Sequence, residues 1–221
     1  MSEQVTVNVK TILPTIPFPP NAEREPIRTE RLIIRPVSED DLDAFHSLRN
    51  QPEVMRYTAA GRIAANKEET REILARYLPP NDLETYNNMI CLASTGELIG
   101  IGGMSKRRHL SGWPEIGYLF KKEFWGHGYA TEFLRGWLNL WWALPRSEVE
   151  LDVDPQSVDG PGEAPELLTA IVEESNLRSR RVLEKAGFRE YKQWTERDSR
   201  EGCDGDVTLV GLALSSAGQR N

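Results

Sequence analysis

Residues 115–131 read EIGYLFKKEFWGHGYAT, and this stretch decides the fold because it joins a short strand, a glycine-containing loop and a helix start. Gly126 and Gly128 let the backbone approach a ligand closely, since glycine has no side chain. The first helical turn presents free N–H groups and the positive end of the helix dipole. The pattern therefore predicts a site for an anion of the pyrophosphate type. An ordinary strand-to-helix turn explains the glycines equally well, because neither the G-x-x-x-x-G-K-S/T loop nor the G-x-G-x-x-G pattern is present.

The sequence on both sides of this stretch alternates between strand and helix patterns, which predicts a mixed α/β domain. Strands are predicted at 31–35, 86–94, 98–104, 115–120, 167–172, 189–196 and 206–214. Helices are predicted after the cap residues Ser38 and Asn66, over 128–144, and over 176–185 before Gly187. The tryptophans of 128–144 have helical spacing and are expected to pack in the core.

The composition excludes several classes of protein. A length of 221 residues fits one domain, and 39% hydrophobic residues argues against global disorder. The chain has 27 Lys and Arg against 34 Asp and Glu, a net charge of −7. This balance argues against nucleic acid or an anionic membrane as the main partner, since such partners attract an excess of basic residues.

The two cysteines, Cys91 and Cys203, are too few for a disulfide framework and indicate a reduced compartment. No apolar run reaches the roughly 18 residues that span a bilayer. The first residues, MSEQVTVNVK, lack the apolar segment of a secretory signal. We therefore expect a cytoplasmic protein.

The ends of the chain and one internal segment are expected to lie outside the central fold. Residues 1–26 carry five prolines, which predicts a proline-rich extended arm or a disordered tail. Residues 146–165 are acidic and rich in Gly and Pro, which predicts a loop insertion. The folded domain is thus expected to cover 27–215, with 216–221 as a tail.

The segment WGHGYA (125–130) resembles the acetyl-CoA loop of the GNAT (Gcn5-related) N-acetyltransferases, Q/R-x-x-G-x-G/A. Trp125 takes the Gln/Arg position, as is common in the branch that acetylates ribosomal-protein N-termini. Three further segments resemble that branch in the same order: IRTERLIIRPVSEDDLDAFHSLRNQPEVMRY (27–57), TGELIGIGGM (95–104) and NLRSRRVLEKAGF (176–188). The resemblance covers about residues 27–188.

The resemblance implies a GNAT fold, with a mixed six- to seven-stranded sheet that splays beside Glu115–Phe120 and has flanking helices. It implies acetyl-CoA as co-substrate, with pantetheine pairing to the backbone of Tyr118, Leu119 and Phe120 and hydrogen-bonded by Asn176. The pyrophosphate would lie against Trp125, Gly126, His127, Gly128, Tyr129, Ala130 and Thr131. Lys121, Lys122, Arg178, Arg180 and Arg181 could offset phosphate charge, or form a solvated basic face.

Acetyl transfer from a thioester to an amine needs a base, an oxyanion donor and a proton source for the thiolate. Glu115 is the candidate base, with a surface ion pair as its alternative role. Ser179 is the candidate thiolate donor, with local helix capping as its alternative role. Leu183 stands where many GNAT enzymes have a donor tyrosine.

Other chemistries are disfavoured by the sequence. His46, His109 and His127 have no ligand spacing, so no metal is predicted. Cys91 lies in a predicted strand and is expected to pack in the core, which argues against an acyl-cysteine route.

The expected reaction is direct transfer of an acetyl group to a primary amine, either a small molecule or a protein N-terminus. The acidic charge favours a cationic acceptor. Transfer of a longer acyl chain, a non-catalytic acyl-CoA-binding sensor or scaffold, and a homodimer all stay open. A nucleotide-binding fold unrelated to CoA is disfavoured, because both nucleotide fingerprints are missing.

Overall fold

The computed structural model describes residues 5–106 and 110–216. The strands are β1 (Val7–Pro14), β2 (Ile27–Arg28), β3 (Leu32–Pro36), β4 (Tyr86–Leu92), β5 (Leu98–Lys106), β6 (Glu115–Phe120), β7 (Arg146–Val153), β8 (Gly162–Glu163), β9 (Leu167–Glu173), β10 (Arg189–Arg197) and β11 (Asp206–Ser215). The α-helices are α1 (Leu42–Arg49), α2 (Pro52–Met55), α3 (Lys67–Ala75), α4 (Tyr129–Ala143) and α5 (Leu177–Lys185).

Within the described residues, the main sheet has eight strands in the order β10-β11-β9-β6-β5-β4-β3-β2. The predicted mixed sheet with flanking helices is confirmed, and the two-residue edge strand β2 adds a strand to the expected six or seven. The parallel pair is β6 and β9, which is joined by the single register position Glu115↔Thr169. The two strands then diverge toward their carboxyl ends, so the sheet is splayed beside β6.

The main sheet buries a different hydrophobic cluster on each face. Ile116 and Phe120 of β6 pack in one cluster with α4, which we call the α4 face. Leu119 packs in the other cluster with Phe45 of α1, which we call the α1 face. Side chains alternate along a strand, so Glu115 and Gly117 lie on the α1 face with Leu119.

The α4 face holds the tryptophans that the sequence places in the core. Trp137 and Trp141 are fully buried and stack with ring centroids 5.2 Å apart. Such a large apolar stripe explains why α4 packs against the sheet rather than lying free on the surface.

The helix starts follow the predicted cap residues. Ser38 forms a capping box before the short 3-10 turn that leads into α1. The Asn66 side chain accepts the backbone N–H of Glu69 at 2.9 Å at the start of α3. Gly187 follows α5 with φ +97°, a left-handed conformation that favours glycine.

The interpretation of residues 1–26 as an arm outside the fold is wrong for the part that the structure describes. β1 pairs antiparallel with β7 along its whole length and parallel with β8, which forms a second, three-stranded sheet. Val9 and Leu13 are fully buried, and Phe18 packs in the main core. Folded structure therefore begins well before Ile27.

The interpretation of 146–165 as a loop insertion is also wrong for its first half, which forms β7. Glu148, Glu150 and Asp152 are three of the six acidic residues of the segment, but they alternate with Val149, Leu151 and Val153. This period of two marks a half-buried strand, and it was hidden by the composition of the segment as a whole. No helix within 5–106 and 110–216 is long and apolar enough to cross a membrane.

Candidate active site

The splay leaves one edge of β6 facing a gap. Along its other edge, β6 pairs with β5 over its whole length, as far as Phe120. Its described pairing with β9 is confined to Glu115 and Thr169. Thr169 reinforces that point of contact, because its backbone N–H and its hydroxyl both donate to the carbonyl of Pro114, at 2.9 and 3.0 Å. The gap beyond Glu115 can therefore receive an extended chain as an added strand.

Tyr118 reaches from β6 to the first turn of α5. Its ring packs edge-on against Phe120 and Phe133, and its Oη lies 2.9 Å from Oγ of Ser179. Burial raises the pKa of Tyr118 to about 12, and the hydrogen bond with Ser179 opposes this only in part. Tyr118 is thus a neutral hydroxyl group at ordinary pH, and it fixes the position of Ser179.

Asn176 and Ser179 play different structural roles at the start of α5. The Asn176 side chain accepts the backbone N–H of Ser179 at 3.2 Å, so its oxygen caps the helix. The Ser179 hydroxyl contacts Tyr118 instead, so local capping does not occupy it. Leu183 is fully buried in the main core.

The loop before α4 is open and glycine-dependent. Gly126 and Gly128 have φ of +81° and +83°, and a Cβ at Gly126 would meet nothing within 4 Å. Gly128 is the N-cap of α4 and offers no side-chain hydrogen bond to the first turn. Trp125 anchors the loop, because its indole N–H donates to the Phe120 carbonyl at 2.7 Å. Exposed amides with open space before them fit a pyrophosphate group.

Arg31, which no local sequence pattern marks as a site residue, holds this loop from the other side. Its Nη1 donates to the His127 carbonyl at 2.9 Å, and its guanidinium lies 4.7 Å from the Tyr129 ring centroid. Glu132 fixes Arg31 through an ion pair of 2.7 Å. Arg31 lies about a hundred residues away in the chain, so only the fold brings it to the loop. The His127 ring stacks on Tyr129 at 6.0 Å.

The predicted basic residues divide by their partners. Lys121 pairs with Glu97 at 3.5 Å, Lys122 with Glu53, and Arg180 with Glu190 at 3.2 Å. Arg178 lies 5.3 Å from the Trp125 ring centroid, and Arg181 is exposed. Within the described residues, Arg178 is therefore the member of this set whose side chain packs on the loop.

Gly117 borders an open space on the α1 face, and Glu115 precedes it by two residues on the same face of β6. Gly117 is exposed, and a Cβ there would meet nothing within 4 Å. Tyr191 belongs to β10, which lies three strands from β6 in the sheet. It lies at an irregularity in the pairing of β10 with β11, and its ring covers Gly211. Burial and the charges of Asp154 and Glu115 raise the pKa of Tyr191 to about 12. A strand irregularity is not visible in the sequence pattern, so the sequence does not indicate that Tyr191 lies near the site.

A family model described as an acetyltransferase (GNAT) domain matches residues 31–189. The chain belongs to the GNAT acetyltransferase family. The match spans α4 with its glycine loop, both splayed strands and α5, which are the elements that build the site described above.

Known GNAT proteins resemble the chain in sequence and in fold. The uncharacterized N-acetyltransferase p20 of Bacillus licheniformis is 26% identical over 136 residues, which cover 60% of this chain and 75% of p20. A GNAT acetyltransferase structure from Bacillus anthracis has a TM-score of 0.63 at 21% identity and covers 86% of this chain and 98% of its own. The microcin C7 self-immunity acetyltransferase MccE, in complex with acetyl-CoA and AMP, has a TM-score of 0.61 at 12% identity, covering 84% and 94%.

The remaining candidate groups of this GNAT acetyltransferase lie apart from the site or outside the described residues. Cys91 is buried in the cluster on the α1 face, as expected, and burial raises the pKa of its thiol. His46 Nδ1 lies 2.8 Å from the Thr70 hydroxyl. His109 falls outside the described residues. Over 5–106 and 110–216, no group of three or more His, Cys, Asp or Glu side chains could hold a metal ion.

Proposed function

We propose that this GNAT protein transfers the acetyl group of acetyl-CoA directly to a primary amine. The observation that carries the proposal is the gap between β6 and β9, which has Glu115 at its closed end and the Tyr118–Ser179 pair on its α4 face. Membership of the family supplies the reaction class. The proposal adds the donor, the acceptor class and the residue roles.

Acetyl-CoA would bind along the exposed edge of β6 with its pyrophosphate at the loop before α4. Pantetheine would pair with the backbone of Tyr118–Phe120, and Asn176 would bind its amides. The pyrophosphate would accept hydrogen bonds from the backbone N–H groups of residues 125–131, whose conformation depends on Gly126 and Gly128. Arg178 would add positive charge beside Trp125.

The amine must lose a proton before it attacks, because an alkylammonium has a pKa of about 10. Glu115 would take that proton, directly or through one water molecule, from the open space beside Gly117. The neutral nitrogen then forms a bond to the carbonyl carbon, and the bond from that carbon to sulfur breaks with its electron pair on sulfur. Backbone N–H groups of Tyr118–Phe120 would stabilise the oxyanion between these two events. The nitrogen gives up its surplus proton, which passes through solvent to the sulfur, so the products are the amide and the CoA thiol.

Ser179 would donate a hydrogen bond to the departing sulfur. A thiol has a pKa of about 8.5, so the thiolate is a good leaving group and one hydrogen-bond donor is enough to stabilise it as it departs. Tyr118 would donate to Ser179 in turn, because its raised pKa keeps its proton in place. Leu183 is buried in the core, which is consistent with assigning the donor role to Ser179.

The acceptor we propose is a small cationic amine or a protein N-terminus. The net charge of −7 attracts a cation at long range, and the segments 27–57 and 176–188 resemble the branch that acetylates ribosomal-protein N-termini. Both cysteines are free thiols in the structure, which supports a reducing, cytoplasmic setting.

Release of CoA thiol in the presence of amines tests the proposal. Alkylamines and short peptides with free N-termini are the probes, and E115Q is compared with the wild-type protein. We expect CoA release with at least one amine. For E115Q we expect the rate of release to fall by at least about 10²-fold. CoA binding without release for any amine would favour the alternative, a non-catalytic acyl-CoA sensor or scaffold.

A further inference from the structure

Residues 51–62, which we call the strap, include α2 and begin at the carboxyl end of β6. The Gln51 side chain accepts the backbone N–H of Lys122 at 2.8 Å and donates to Glu123 at 3.0 Å. Glu53 pairs with Lys122 next to this contact. Since β6 and β9 touch near their amino ends, this anchor lies where the two strands are far apart.

The strap is tied at its middle to the carboxyl end of β9 through Arg200, from the turn between β10 and β11. Arg200 Nη1 donates to the Arg56 backbone carbonyl at 2.7 Å and to Glu173, the last residue of β9, at 2.8 Å. Its Nε donates to Asp198 at 2.8 Å. The strap packs closely on this side chain, because a Cβ at Gly61 would lie 2.8 Å from Arg200 Cδ. The strap therefore crosses the wide end of the splay.

Arg200 is a stronger tie than its neighbours. Its side chain is 19% exposed, and it joins two carboxylates and a carbonyl with charge-assisted hydrogen bonds. The Arg200 guanidinium holds the pKa of Asp198 well below its usual range. The link from Arg62 to Glu201, at 2.9 Å, is far more exposed and contributes less.

The strap closes one particular side of the splay. Val54 of α2 packs in the hydrophobic cluster on the α1 face. Glu115 and Gly117 lie on that same face, whereas Tyr118 and Ser179 lie on the α4 face. The acceptor side and the CoA side of the gap therefore have separate walls.

We infer that Arg200 is a positioning residue that holds the strap over the α1 face, where the acceptor amine meets Glu115. The inference rests on the proposed function. Without Arg200, the Arg56 carbonyl loses this donor and Glu173 loses its ion pair while it still accepts from the Ser175 hydroxyl, so the strap detaches from β9. Use of the acceptor then suffers, while CoA binding on the α4 face is retained.

Trypsin reports on the strap directly, because the carbonyl that Arg200 holds belongs to the cleavable bond Arg56–Tyr57. The test compares wild type, R200A and R200K with the control R197A. Arg197 lies beside the same turn and is exposed, and among the described residues its side chain contacts Asp204, whose carbonyl accepts from Nη1 at 2.9 Å. We expect cleavage at Arg56 at least about 10-fold faster in R200A and R200K, because lysine cannot span these partners, and unchanged in R197A.

Kinetics test the positioning role. The amine probe is hexylamine or a tetra-alanine peptide, whichever releases CoA faster with the wild-type protein. We expect kcat/KM for this amine to fall at least about 10-fold in R200A, while the calorimetric Kd for CoA changes by less than about 2-fold.

Three results would overturn the inference: cleavage at Arg56 equal in R200A and R197A, faster cleavage with unchanged amine kinetics, or equal losses in amine use and CoA binding. The proposed function can fail separately. A wild-type protein that releases no CoA would remove the acceptor role of the strap, and the trypsin comparison would still decide whether Arg200 holds it.

Discussion

Tyr118 Oη lies 2.9 Å from Ser179 Oγ and thereby joins a strand of the splay to the first turn of α5. The two residues are 61 positions apart in the chain, and both belong to the match with the GNAT family model. Ser179 has its backbone N–H capped by Asn176 and its hydroxyl held by Tyr118. A hydroxyl fixed in this way is preorganised to donate to a leaving group.

S179A tests this role most simply. We expect kcat to fall about 10- to 100-fold, less than for many general acids because a thiolate is already a good leaving group. Y118F should lower kcat in the same direction but by less, because Ser179 keeps its hydroxyl and loses only its orientation. Steady-state CoA release with the best amine measures both variants, and an unchanged kcat for S179A would exclude the assigned role.

The same tyrosine makes stability depend on alkaline pH. Tyr118 titrates at about 12 in the folded protein, against about 10 when unfolded. The unfolded chain therefore loses its proton first, and stability that is complete below pH 10 declines by about 2 kcal/mol as pH rises to 12. Urea unfolding at pH 8 and pH 11 should give a smaller difference for Y118F than for wild type. An equal difference would contradict the buried environment of the Tyr118 hydroxyl.

The glycine loop can be tested against a matched turn elsewhere. Gly126 and Gly96 have φ of +81° and +76°, and a Cβ at either would meet nothing within 4 Å. G126L and G96L should each lose about 1–2 kcal/mol of stability, because both force a side chain into a left-handed conformation. Only G126L should weaken CoA binding, by at least about 10-fold in calorimetry, since its side chain would fill the space before the amides. Equal affinities for the two variants would remove the loop from the binding site.

The second sheet should be essential to stability. L13A removes a fully buried side chain from the cluster of β1 with Trp113 and Leu151, and should lower the free energy of unfolding by about 2–5 kcal/mol. I12A, its half-exposed neighbour, should lower it by about 1 kcal/mol or less. Urea unfolding measures both changes in the free energy of unfolding. A negligible effect of L13A would restore the interpretation of residues 1–26 as an arm.

Local patterns predicted much of the fold, because they depend on neighbouring residues. The strand at Glu115–Phe120, the α4 stripe and the Asn66 and Gly187 signals are local, and the structure has each of them. β7 was missed because composition over twenty residues masked an alternation over eight. The pairing of β1 with β7 is a long-range event that proline content cannot reveal.

The same contrast between local and long-range signals holds for the residues of the candidate site. The glycines of the loop are visible in the sequence, because positive φ and close approach call for glycine. Arg31, Tyr191 and Arg200 carry no local signal, since each acts on residues far away in the chain. Their roles depend on which surfaces the fold brings together.

The central claim is that the gap between β6 and β9 binds CoA, and calorimetric titration with acetyl-CoA, CoA, ATP and NAD tests it most directly. We predict binding at about micromolar Kd that is confined to acetyl-CoA and CoA. A folded sample that binds neither, or that binds ATP or NAD equally well, would contradict the account and leave a GNAT fold without the proposed donor.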